Sequence, residues 1–381
     1  MIDTRVVVEP TSGNPFSWIR EVEAEFRYGE HKWKSNGTAF LIRFPGANCQ
    51  LLLTAAHVLC DNFTKDLPKV KTSGGQLTYR ENGILTSSSF TSDDVWFPED
   101  FYTTSAIRKF DYAIIRLPYN RDNIGFGLLS TRLSLLVSEQ VITAGFPGDK
   151  PKETLCTSGG KIINYDHEAP TFHTSFKLFG GQSGSPIWSW YQGYTAIGIA
   201  QSVNQEDDSS RGRQICLNVI KDILRFNGKK EGVSISPTLS PTKKLIYDDH
   251  GEVTISTNFK PENSQLHLLP IATISSNYFV EDWNIEPQAY FISAVRKPEL
   301  ILRVNEMGIY HIDMENISAD NQYFPENPSS NCFYLKSMGN SRYTLMSDLG
   351  PNLFLSFEDE ELTLKQTSNP SDHELFILNG V

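Results

Sequence analysis

Gly180-Gly181-Gln182-Ser183-Gly184-Ser185-Pro186 is the stretch that decides how this chain reads. A serine set among glycines and closed by proline makes a tight turn that presents a hydroxyl, the form of a nucleophile loop. Two upstream segments supply what such a serine needs. Leu53-Thr54-Ala55-Ala56-His57-Val58 ends an apolar run on a histidine, and Asp111-Tyr112-Ala113-Ile114-Ile115 places an aspartate ahead of another. Each motif alone has an ordinary structural explanation: a glycine turn, or a histidine closing a strand. All three in the order His, Asp, Ser read as a hydrolytic triad.

The chemistry accounts for the residue types. A serine hydroxyl is a poor nucleophile until an imidazole takes its proton, so His57 is the candidate general base and, later, acid. Asp111 would fix the imidazole tautomer and stabilise the imidazolium. The N–H groups of Gly181 and Ser183 would face the developing oxyanion. Asp93 and Asp94 are rivals to Asp111, but they lie in a Ser/Thr-rich loop with no apolar strand behind it. The order of the triad is the chymotrypsin-type order; subtilisin-like and α/β-hydrolase enzymes use others. The remaining histidines form no HxxxH or Cys/His cluster, so neither a metal nor a cofactor is expected.

With these motifs in place, the first part of the chain resembles the chymotrypsin-fold serine proteases of the glutamyl endopeptidase type. Thr143-Ala144-Gly145-Phe146-Pro147-Gly148-Asp149-Lys150-Pro151 is similar to that family's Gly-aromatic-Pro-Gly-Asp-Lys segment. Gly159-Gly160-Lys161-Ile162-Ile163 and Ala196-Ile197-Gly198-Ile199 continue the likeness, and 214–226 resembles the closing strand and terminal helix. The resemblance covers residues 16–228 and implies two six-stranded β-barrels with the catalytic groups between them.

Two departures qualify it. Trypsin-like digestive enzymes carry an aspartate before the nucleophile, which pairs with a newly cleaved N-terminus. Gln182 stands there and cannot hold an ammonium by ion pairing, so activity without trimming is expected. Glutamyl members read the substrate carboxylate with a histidine and a threonine, at positions that correspond to Ala200 and Leu178. An apolar pair leaves a buried carboxylate unsatisfied, so a small or medium apolar P1 residue is expected. Lys177 is the one residue here that would restore an acidic preference, if it enters the pocket rather than snorkelling to solvent.

Length and composition bound the rest. A chain of 381 residues suggests more than one unit. The formal net charge of −11 argues against nucleic acid or an anionic membrane as partner. No apolar run reaches membrane-spanning length, and Met1-Ile2-Asp3-Thr4-Arg5 opens no secretory signal. Five cysteines (49, 60, 156, 216, 332) cannot all pair within the chain and read as buried thiols in a reducing compartment. A cytoplasmic place with leaderless release is the expectation; a secreted chain without its leader would read the same.

Element patterns are mostly β: short apolar or alternating runs at 20–28, 39–44, 50–54, 112–117, 140–144 and 194–201, cut by Gly, Pro, Asn and Ser. Val219, Ile220, Ile223 and Leu224 share one helical face. The organisation expected is a 1–15 extension, a protease domain over 16–228, an exposed Ser/Thr/Pro-rich linker over 229–242 and an all-β domain over 243–381.

That last domain carries many short strands and no catalytic motif. Leu245-Ile246-Tyr247-Asp248, Ala289-Tyr290-Phe291-Ile292, the run from Ile309 to Ile317, Cys332-Phe333-Tyr334-Leu335 and Glu374-Leu375-Phe376-Ile377 give it a resemblance to the β-trefoil cytokines of the interleukin-1 family. Lectin-like trefoils share part of this pattern. The fold class expected for the whole is therefore all-β: a chymotrypsin-like double barrel with a C-terminal helix, plus a C-terminal β-trefoil.

Two functions compete. In one, a serine endopeptidase acts on polypeptide, including its own linker, and autocleavage releases a cytokine-like ligand for a cell-surface receptor. In the other, the chain stays an uncut two-domain protease whose β-domain binds substrate or partner. Val233, Ile235 and Leu239 are the cleavage candidates for an apolar pocket; Glu231 is the candidate if Lys177 reads acids.

Overall fold

The computed structural model describes residues 5–11, 15–43, 49–62, 69–81, 83–103, 107–118, 125–128, 137–166, 169–189, 194–203, 209–226, 233–248, 250–271, 289–295, 300–304, 312–316, 330–340, 342–350 and 352–379. The chain divides into two compact units, Met1–Val219 and Ile220–Val381. The boundary falls inside the ten-residue helix Leu217–Phe226, ahead of the 228 expected. Val219, Ile220 and Ile223 are all buried, as their shared face predicts.

Among the described residues the first unit is built from two large sheets, antiparallel except where Gly127–Leu128 pairs parallel with Thr195–Val203, and a small pair, Cys60–Asn62 with Lys69–Lys71. One large sheet runs in the order Ile84–Thr91, Gly74–Glu81, Ile19–Tyr28, His31–Ile42, Cys49–Thr54, Ala113–Pro118, Val95–Trp96. Its path has seven strands and does not close on itself among the described residues, unlike the six-stranded barrel expected. Alternation sets its faces: Val22, Ala24 and Phe26 are fully buried, while Glu21, Glu23 and Glu25 point outward. Leu51, Leu52 and Leu53 form a continuous apolar run on a central strand, and all three are buried.

The second sheet does close. Cys156–Tyr165, Gln140–Gly145, Pro186–Ser189, Thr195–Val203, Ser210–Gln214 and Thr171–Thr174 pair in turn, and Thr171–Thr174 pairs back onto Cys156–Tyr165. Closure removes the exposed edges of this barrel. Ile187 and Phe172 meet over Gly212, and the fully buried Trp188 packs against Phe16 and Phe126. The short strand Val6–Val7 is added outside the ring, Val6 opposite Thr157 and Val7 opposite Cys156. This half-closed, half-open double barrel is the chymotrypsin-like, all-β architecture expected for the first part. No disulfide joins any of the five cysteines.

Among the described residues the second unit holds a ten-stranded antiparallel sheet and a separate pair, Lys244–Tyr247 with Val253–Ser256. Ile235, Leu245, Leu266, Ile292, Phe333, Leu345, Leu355 and Phe376 pack in one apolar core. Among the described strands the sheet is not closed as a trefoil would be.

Within 229–242, expected as an exposed linker, the described residues from 233 on form something else. Ser234–Pro237 is a buried strand that pairs with Phe376–Asn379, Ile235 opposite Leu378. Val233 and Ile235 are inserted into the core at 8% and 0% exposure. A Ser/Pro-rich composition suggested solvent, but a strand paired with Phe376–Asn379, far away in sequence, loses no backbone hydrogen bonds by being buried. Leu239 alone of these candidates is exposed, at 53%. Glu231 lies outside the described residues.

Candidate active site

The strand register brings His57 and Asp111 together. Ala113 pairs with Thr54, so the chain leaving one strand toward His57 and the chain entering the other from Asp111 emerge at the same edge. His57 lies on the short helix Ala56–Leu59 directly after Cys49–Thr54. Its Nδ1 is 2.8 Å from Asp111 Oδ2 and 3.0 Å from Oδ1, and its backbone N–H donates to Oδ1 at 3.0 Å. The Asp111 side chain is 8% exposed and the His57 side chain 39%, so the carboxylate is walled in while the imidazole keeps part of its surface open to solvent.

The electrostatics follow from that burial. Desolvation works against the imidazolium, yet the charge and hydrogen bond of Asp111, helped by the charge of Asp61, outweigh it and raise the His57 pKa above 6.5. The nearby Cys60 thiol is pushed by burial up to about 11 and stays protonated at neutral pH, which removes it as a rival nucleophile.

Ser183 is held by glycine geometry. Gly181 and Gly184 on either side both have φ of +89°, a region that side chains rarely adopt. A Cβ on Gly184 would fall 2.0 Å from the Thr38 carbonyl and 2.2 Å from Thr54 Oγ1. The loop is thereby pressed onto the strand that leads to His57. Thr38 fastens it further: its N–H donates to the Ser183 carbonyl at 2.8 Å and its hydroxyl to the Gly181 carbonyl at 2.9 Å. The Gly181 and Ser183 N–H groups donate to no acceptor among the described residues, which leaves both open for an oxyanion. The Ser183 hydroxyl is not bonded to His57; it donates to the Gln201 carbonyl at 3.0 Å.

Gln182, fully buried, takes the place where an aspartate would await an ammonium. Its Oε1 accepts from the Phe179 N–H at 2.9 Å, and its Nε2 has no acceptor among the described residues. Leu178 and Ala200 are buried at 3% and 0%, and both meet the strand Ser210–Gln214: the Leu178 N–H donates to Ser210 Oγ at 2.6 Å, and Ala200 pairs with Gly212. Lys177 is half-buried beside them.

Three residues absent from the motifs complete the site. Thr38 has the role just described. The Gln201 side chain donates to the Arg108 carbonyl at 2.8 Å, and Arg213, 3% exposed, donates to the Lys109 carbonyl at 2.7 Å. Both tie the second barrel to the segment that carries Asp111. No local pattern marks them, because each acts through a partner over 90 residues away. Among the described residues no group of three His, Cys, Asp or Glu side chains is arranged to hold a metal ion.

Residues 37–199 match the family described as trypsin-like peptidase domain. A glutamyl endopeptidase of Staphylococcus aureus (strain MW2) is similar, 31% identical over 103 residues, which cover 24% of this chain and 31% of that relative. The chain thus spans under a third of the length of the curated relative it matches. Among solved structures, a Glu endopeptidase in complex with MPD aligns with a TM-score of 0.47 and 18% identity, over 60% of this chain and 98% of that one. The designed threefold-symmetric protein ThreeFoil aligns with a TM-score of 0.28 and 15% identity, over 38% of this chain and 96% of that one.

Proposed function

We propose that this chain, which carries a chymotrypsin-type serine-protease domain over residues 37–199, is a serine endopeptidase whose triad is His57, Asp111 and Ser183. The observation that carries the reading is the His57–Asp111 pair at 2.8 Å, with a partly exposed imidazole and a serine loop pressed against the same strand end. In the reaction the Ser183 hydroxyl turns from the Gln201 carbonyl to His57 and attacks the substrate carbonyl carbon, and its proton passes to the imidazole. Asp111 holds the ring with Nδ1 protonated and stabilises the imidazolium. Gly181 and Ser183 N–H groups receive the oxyanion. The imidazolium then protonates the leaving amine as the peptide bond breaks, and water releases the acyl group by the same steps in reverse order of roles.

Leu178 and Ala200 support an apolar P1 preference, since neither can satisfy a carboxylate. The second unit is read as a trefoil-like binding module, in keeping with its short antiparallel hairpins around one apolar core. Of the two whole-chain functions, the uncut two-domain protease is favoured by the strand Ser234–Pro237. Cutting at the exposed Leu239 would strand that segment on the wrong fragment and strip it from Phe376–Asn379.

Hydrolysis of fluorogenic peptides by the purified full chain tests the proposal. Turnover that disappears in Ser183→Ala supports it. Equal turnover in wild type and Ser183→Ala, or none in a folded wild type across a P1-diverse set, refutes it.

A further inference from the structure

The loop that presents Gly181 is braced by a residue far from the triad in sequence. The Arg5 guanidinium carbon sits 3.5 Å from the centroid of the Phe179 ring, and its two terminal nitrogens reach the two carboxylate oxygens of Asp149 at 2.6 Å each. The Arg5 side chain is 4% exposed, although Asp149 keeps 48% of its surface in solvent. A planar guanidinium can stack by its face and fork by its edge at once; an ammonium cannot do both. Pairing of Val6 and Val7 with Thr157 and Cys156 fixes the backbone that delivers it, and the Val8 N–H adds a bond to the Leu155 carbonyl at 3.0 Å.

Both of its partners are tied to the oxyanion loop, Phe179 directly and Asp149 through its chain neighbour Gly148. Phe179 exchanges hydrogen bonds with Gln182: its N–H donates to Oε1 at 2.9 Å, and its carbonyl accepts from the Gln182 N–H at 3.0 Å. Asp149 follows Gly148, whose N–H donates to the Gly180 carbonyl at 2.6 Å. Gly181 lies between these two tethers, so close that an added Cβ would sit 2.4 Å from the Phe146 carbonyl and 2.9 Å from the Gly148 nitrogen. Gln182 itself carries no charge that a cation would anchor.

We propose that Arg5 is a positioning residue: by clamping Phe179 to Asp149 it holds the Gly180–Gly181 peptide with the Gly181 N–H turned toward the oxyanion. The inference rests on the reading of Ser183 as nucleophile. Arg5 touches no reacting atom, and its effect passes wholly through the loop. A lysine at this place keeps the charge and loses the clamp.

The test uses the full chain with Arg5→Met, Arg5→Lys and Asp149→Asn. The last removes a solvent-side partner and is expected to leave the fold unchanged by circular dichroism. All three are expected to lower kcat by ~10–100-fold, a fraction of the ~10²–10³ that loss of one oxyanion donor costs, with KM changed less than about two-fold. A peptide aldehyde, which forms an oxyanion on Ser183, should weaken by the same factor as kcat/KM falls, while the matching peptide alcohol, which forms none, should bind as before. Variants with wild-type kcat, or aldehyde and alcohol weakened alike, overturn the inference while leaving an active wild type and the triad intact. A folded wild type that hydrolyses nothing overturns the reading of Ser183, and this inference with it.

Discussion

Asp111 accepts twice from His57, once from the backbone N–H at 3.0 Å and once from ring Nδ1 at 2.8 Å, so the carboxylate fixes both where the histidine sits and which way its ring turns. Asp111→Asn should keep the first bond and spoil the second, because an amide nitrogen opposite Nδ1 favours the wrong tautomer. The expected loss in kcat is roughly 10⁴-fold. The pH dependence has a sign. The base form of His57 is the active one, and its pKa lies above 6.5, so the wild-type rate should fall as pH drops through that raised value. Without the carboxylate, burial acts unopposed by Asp111 and the acid limb should move to lower pH. The folding contribution of the pair runs the other way, fully present below 6.5 and lost as pH rises through the raised pKa. A pH–rate profile of the residual activity checks the shift; an unmoved limb would separate Asp111 from His57.

Gly184→Ala should damage the fold as well as the rate. Its φ of +89° is strained for alanine, worth about 1–3 kcal/mol alone, and the new Cβ would overlap the Thr38 carbonyl and Thr54 Oγ1. Gly180→Ala is the control: nothing lies within 4 Å of its added Cβ. Thermal melts should show a lowered midpoint for the first and little change for the second.

Peptide-library cleavage should favour Val, Leu or Phe at P1 over Glu. Leu178 and Ala200 are both buried and apolar, and a site without a partner for a carboxylate penalises it more than a missing methylene. A dominant Glu or Asp signal, abolished by Lys177→Ala, would show that the lysine enters the pocket and reads acids.

The purified chain should stay intact while it cleaves peptides. Val233 and Ile235 are buried in the second unit, and a protease needs an extended, accessible segment. Wild type and Ser183→Ala should run alike on a gel after long incubation. A wild-type-specific fragment that begins after residues 233–239 would restore self-processing.

How far the sequence carried this account depends on how local each signal is. The His57–Asp111 pair was legible because each member is announced by its neighbours, an apolar strand before His57 and another after Asp111, and the glycines around Ser183 mark it as the candidate nucleophile. Central strands such as Cys49–Thr54 were legible as apolar runs, whereas Ile84–Thr91, with Ser87, Ser88 and Ser89, offered no apolar pattern to read. Ser234–Pro237 was misread as linker because its composition is that of a turn and its partner strand ends the described chain. Arg5 gave no signal at all: Asp149 lies 144 residues away, and only the folded barrel brings the two together.

Labelling of the native full chain with a fluorophosphonate, mapped by peptide mass spectrometry, tests the central claim most directly, because the probe reports a serine activated by its surroundings rather than a serine alone. The account predicts one label per chain, on Ser183, lost in Ser183→Ala and in His57→Ala, each of which should lower kcat by on the order of 10⁶. A folded chain that takes up no label, or takes it on another residue, would contradict it.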